Sequence, residues 1–103
     1  MTIQDRNLYT GLIRLHILHH AAEGPVFGQW MINELGHHGY RLSAGTLYPI
    51  LHGLEKQGYL KSRTALTEGR NRRVYRATPA GRKALVTARK RVQELFGEML
   101  GRD

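Results

Sequence analysis

Apolar residues recur at helical intervals through most of the chain and at intervals of two in one region only. Residues 7–22, NLYTGLIRLHILHHAA, predict a first helix, stopped by Gly24-Pro25. Its apolar side chains fall on three sides: Leu8, Leu15, Leu18 and Ala22 on one, Tyr9, Leu12 and Ile13 on another, Ile17 on a third. A helix apolar nearly all round is buried on more than one side, and in so short a chain the second cover points to another subunit. Residues 26–37 predict a second helix, with Phe27, Met31 and Leu35 at i, i+4, i+8 and Gly36 and Gly39 at its exit. Residues 43–57 predict a third, with Ser43 as N-cap and a stripe of Leu47, Ile50, Leu51 and Leu54.

The period then changes to two. Residues 59–66 and 72–78 alternate as strands, joined by a polar turn containing EGRN. Thr78-Pro79 opens a final helix over 79–100, with threonine as cap and proline at the first helical position. Along that helix Leu85, Ala88, Val92, Leu95 and Met99 step by 3, 4, 3, 4, and Phe96 widens the line. Such a seam suits a two-heptad dimer contact, although it could also pack on its own domain. Together with Leu12 of the overly apolar first helix, it is the expected homodimer surface.

Three helices followed by a hairpin is the order of a winged helix-turn-helix: mainly α, with a small β-hairpin wing and a C-terminal dimerisation helix. The expected division is a DNA-binding part over 1–78 and the dimerisation helix over 79–103, in one continuous globular unit. The third helix carries an oddity, Pro49, which lacks the N–H that would bond back to residue 45. Facing away from the apolar stripe are Gly45, Tyr48, Pro49, His52 and Lys56, with Ser43 and Thr46 beside them at the N-terminal end. Small or flat residues at 45 and 49 would let the backbone approach DNA, and the free N–H groups of the first turn suit a phosphate.

Charge sharpens that reading. The net charge is +8, yet residues 1–40 hold two basic and three acidic side chains. Residues 56–91 hold twelve Lys or Arg against the single acid Glu68. A field concentrated on one half suggests a polyanionic partner, duplex DNA above all. Arg70, Arg72 and Arg73 fall at or next to the hairpin tip, where they can track phosphates or enter the minor groove.

GTLYPILHGLEKQGYL, followed by EGRNRRVYRATPAGRKAL, resembles the signature of the PadR family of bacterial transcription regulators. The resemblance runs from about Ser43 to Leu85, and VFGQWMINEL resembles the family's second helix more loosely. Gln29 departs from the aromatic residue that members commonly carry there. The resemblance implies a homodimeric repressor with a single C-terminal helix, DNA contacts from Ser43, Thr46, Tyr48, Pro49 and the wing arginines, and release of DNA on binding an effector that membership does not name.

Two features bear on the effector. HILHHAAE places His16, His19, His20 and Glu23 within one helical arc, where imidazoles at i, i+4 can share a divalent ion of the zinc or cadmium type. The same histidines near a helix C-terminus also answer to the helix dipole or to packing in an interface. His37 and His38 precede a glycine and read as loop residues. Trp30, the only tryptophan, either lines a cavity for a flat ligand or packs in the core.

With no cysteine there is no disulfide, thiolate metal site or cysteine nucleophile. No nucleophile elbow, P-loop or dinucleotide fingerprint appears, so an enzyme is not expected and no cofactor is required. No run approaches a membrane span and no signal-peptide core opens the chain, so a soluble cytoplasmic protein is expected. The readings that stay open are a sequence-specific DNA-binding regulator, a metal-responsive one using the first-helix histidines, and a winged-helix module for RNA or protein.

Overall fold

The computed structural model describes residues 6–101; the ends of the expected ranges, 1–5 and 102–103, lie outside the described residues. Helix α1 spans Arg6–Glu23. It buries Ile13, Ile17, Leu18 and Ala21, while Leu8 is 72% exposed and Leu12 43%. Within one chain, then, the core covers residues from each of the three apolar sides of α1 and leaves Leu8 and Leu12 bare.

The stretch after Gly24-Pro25 departs from expectation. Val26–Phe27 is a two-residue strand, β1, and the second helix, α2, begins only at Gly28 and runs to His37. Phe27 is extended at its N-cap, with φ −113° and ψ 160°. The reason is tertiary: Val26 and Phe27 pair with Tyr75 and Val74 of the wing, whose edge would otherwise be open. Helix α3 spans Ala44–Lys56, capped by Ser43. Strands β2 (Leu60–Thr67) and β3 (Arg70–Ala77) form the wing, in a sheet of order β1-β3-β2, antiparallel throughout.

The hairpin turn is tighter than the expected EGRN loop. Only Glu68 and Gly69 lie outside the ladder, both at positive φ (53° and 76°). That is the conformation a two-residue loop needs to match the strand twist. Arg70 and Asn71 consequently belong to β3. Helix α4 spans Pro79–Met99, with the Thr78 hydroxyl accepting from Gly81 N at 3.0 Å.

The core gathers Ile13 and Ile17 from α1, Met31 and Leu35 from α2, Leu47 and Leu51 from α3, and Leu60 and Tyr75 from the sheet. The wing is thereby rooted in the three-helix core at its base while its tip stays exposed. No helix among the described residues is long and apolar enough to cross a membrane.

Candidate nucleic-acid interface

Ser43 opens α3 by accepting a hydrogen bond from Thr46 N at 3.3 Å, and its hydroxyl lies 3.4 Å from that of Thr46. Leu47, Leu51 and Leu54 then anchor the helix in the core. Gly45, Pro49, His52 and Lys56 are all exposed on the other side. Only Ser43 Oγ, at 3.7 Å, lies near the place a Cβ on Gly45 would take. The approach to the backbone there is open.

Tyr48 behaves differently from its neighbours. It is half-buried, and its phenol rests on the first residue of α2: a Cβ on Gly28 would lie 2.2 Å from Tyr48 Oη. Glycine at 28 therefore seats the tyrosine. The ring forms one wall of a cleft of about 350 Å³ whose other walls are Phe27, Gln29 and the wing residues Arg70 to Arg73. Arg72 and Arg73 leave β3 on opposite faces, as neighbours on a strand must. The Arg72 guanidinium stacks 4.7 Å above the Phe27 ring. Arg73 Nη1 donates to Ser62 Oγ at 2.8 Å.

Ser62 in turn donates from both its hydroxyl (2.6 Å) and its backbone N–H (3.2 Å) to one oxygen of Glu55. Glu55 belongs to α3, so a carboxylate, a hydroxyl and a guanidinium tie α3 to the wing. Sequence reading missed Glu55 and Ser62. The available signal was that Glu55 is the only acid in α3, set amid a basic region. Farther down the wing, Lys61 lies directly across from Arg76, and both are exposed. Like charges opposed on a ladder repel, and a row of phosphates would relieve them.

The expected dimer residues fall into two groups. Leu85 and Ala88 are half-buried beside Leu12 and Leu15 of α1, lining an apolar groove of about 350 Å³ that continues to Val92. Val92, Leu95, Phe96 and Met99 are 44–76% exposed. The proximal end of the seam thus packs on its own chain and the distal end is bare.

The expected metal residues are also divided. His19 and Glu23 are exposed on α1, with His19 Nε2 3.5 Å from Glu23 Oε2. His16 and His20 turn instead toward the end of α2, where they meet His38. Of the two residues read as loop, His37 proves helical, while His38 does lie in the turn that follows. His37 closes α2 and His38 is its C-cap. Burial, and then the neighbouring His38, hold the His16 imidazole below its ordinary value. The Glu34 carboxyl is held low by its hydrogen bond with His38. Trp30 is 39% exposed, edge-on to His20 at 5.3 Å. It borders an open cleft of about 280 Å³ with Pro25, Val26 and Phe27.

A family model described as the transcriptional regulator PadR-like family matches residues 17–87. The chain is 55% identical over 96 residues to the transcriptional regulator Rv3488 of Mycobacterium tuberculosis, covering 93% of this chain and 90% of that protein. It also superposes on smu.1704 from Streptococcus mutans UA159, with a TM-score of 0.78 at 32% identity, over 89% of this chain and 90% of that one. A PadR family transcriptional regulator from Eggerthella lenta DSM 2243 gives a TM-score of 0.77 at 29% identity, over 94% of this chain and 88% of that one.

Proposed function

This chain belongs to the PadR-like family of transcriptional regulators, and on that premise we propose that it is a homodimeric repressor that reads duplex DNA with α3 and the wing and releases it when an effector binds. Regulation by DNA binding, rather than enzymatic chemistry, is the family's property. One observation supports the finer reading: Tyr48 of α3 and Arg70 to Arg73 of the wing line a single cleft, while Gly45, Pro49, His52 and Lys56 are exposed along α3.

In this reading α3 enters the major groove with Ser43, Thr46, Tyr48 and Pro49 leading and His52 and Lys56 farther along. Arg70, Arg72 and Arg73 lie along the flanking backbone or minor groove. Phosphate contacts hold the register and Tyr48 supplies discrimination between bases. The bare end of the α4 seam supports the dimer, since Val92, Leu95, Phe96 and Met99 are exposed side by side along one helix rather than scattered singly.

The test is anisotropy titration of a duplex selected from a random library, at several salt concentrations. Arg72→Ala with Arg73→Ala should weaken binding to every sequence and reduce the salt slope by about one unit for each phosphate no longer neutralised. Tyr48→Ala should impair the selected duplex more than random DNA. A wing variant that binds as tightly as wild type, or a preference for single-stranded RNA over duplex, would overturn the reading.

A further inference from the structure

Five of the six histidines lie on α1 or at the end of α2. His16 and His20, one turn apart on α1, each bring a ring nitrogen within 4.8 Å of the other and of a ring nitrogen of His38. The His16 and His38 rings stack at 4.7 Å with 27° between their planes, and His16 and His20 are nearly parallel at 6.5 Å. Glu34, one turn before His38 on α2, places a carboxylate oxygen 3.0 Å from His38 Nε2 and 3.4 Å from His20 Nε2.

Three imidazoles from two elements, with a carboxylate against two of them, make a nitrogen-rich donor set carrying one negative charge. Ions that accept this set are zinc and its neighbours cobalt and nickel. Calcium and magnesium, which want oxygen, do not. Tetrahedral Zn–N bonds of about 2.0–2.1 Å need nitrogens roughly 3.4 Å apart. The three nitrogens already lie within 4.8 Å of one another, so the closure required is small.

We propose that His16, His20 and His38, with Glu34 as counter-charge, bind a zinc-type divalent cation that pins α1 to the C-terminal end of α2 and thereby serves as the effector site. The set of His19, His20 and Glu23 is the competitor and also comes within 4.8 Å. It offers two imidazoles on a single helix, with His19 and Glu23 exposed. It would tie α1 only to itself.

The bridging set reaches the DNA-facing helix through a short path. His38 lies five residues before Ser43, the cap of α3, and between them Tyr40 is buried with its ring 5.5 Å from that of His16. Drawing His38 toward α1 acts on the segment that sets the entry of α3. This regulatory part rests on the DNA-binding reading above. Metal capture does not.

The two are separable in one experiment on the full chain, stripped with chelator. Cobalt(II) is titrated first without DNA, followed by its visible bands, with zinc competition and thermal melting. The expected result is one ion per chain, four-coordinate bands displaced by zinc, and a raised melting temperature. His16→Gln and His38→Gln should each weaken cobalt binding at least about tenfold, with the metal-free melting temperature close to wild type, while His19→Gln binds normally. Cobalt binding that survives His38→Gln but is lost in His19→Gln or Glu23→Gln overturns the site, as does no binding by about 0.1 mM ion. In the second arm, zinc should change affinity for the selected duplex in wild type and not in His38→Gln. Zinc binding with unchanged DNA affinity overturns the effector role. A chain that takes zinc but binds no duplex leaves the site standing and sinks the DNA reading.

Discussion

Single residues on this surface trade stability against access. Gly45 sits in the first turn of α3 with open space beyond Ser43 Oγ. Gly45→Ala should therefore stabilise the fold, by about 0.5–1 kcal/mol in urea titration, because alanine loses less backbone freedom in a helix. The same methyl would stand between backbone and DNA, so affinity should fall about tenfold, the equivalent of ~1.4 kcal/mol. A gain in both would place DNA elsewhere. Gly81 is the contrasting case: a Cβ there would lie 2.2 Å from the backbone oxygen of Tyr59, which cannot step aside as a side chain can. Gly81→Ala should cost about 1–3 kcal/mol by chemical denaturation, with DNA affinity at saturating folded protein unchanged. His16 sets a pH response. It is faced by His19 and His20 on α1 and by His38 and Glu34 from α2, and burial keeps it neutral to lower pH than in the unfolded chain. As pH falls below about 6.5 the unfolded state takes up the proton first, so stability declines through that window down to the folded-state value. In chelator, melting curves of His16→Gln should show a shallower loss between pH 7 and 5 than wild type.

At the scale of elements, what the sequence announced and what it hid have separate causes. Helix α3 was legible because its stripe, its serine cap and its exposed face are all local patterns, and the structure keeps Leu47, Leu51 and Leu54 inside with Ile50 packed against them. The wing was legible for the same reason, to within two residues at each end. Strand β1 was not: Val26-Phe27 continues the apolar spacing of α2, and only the open edge of β3 makes it a strand. The histidine cluster was half visible, since spacing shows which imidazoles share a helix face but not that α2 ends beside them. The apolar line of α4 is plain in its spacing, yet spacing does not reveal that its first turns lean on α1. Its distal half yields a sharp expectation. Leu95→Glu would bury an unpaired charge in the proposed dimer contact, at a cost of several kcal/mol, so sedimentation should find monomer or unfolded chain. A folded dimer of that variant would remove α4 from the interface.

The whole molecule is elongated, 51 × 32 × 21 Å, with the twelve cations of residues 56–91 spread from Lys56 at the end of α3 over the wing and α4. With Val92, Leu95, Phe96 and Met99 bare in one chain, folding and association should be linked, and the melting temperature should climb with protein concentration. A melting temperature independent of concentration over a hundredfold range would mean that the monomer is self-sufficient. The chain from Glu55 through Ser62 to Arg73 has a consequence at this scale as well. If α3 and the wing read DNA as proposed, it would hold them as one caliper of fixed opening, and on docking the double helix would have to adjust. Duplexes whose grooves already have the matching width are spared the elastic cost of being squeezed or bent to fit, a difference of order 1–6 kcal/mol for a site of this kind. Preference would then extend to base pairs that no side chain reaches, written in the stiffness of the DNA rather than in its hydrogen-bonding edges.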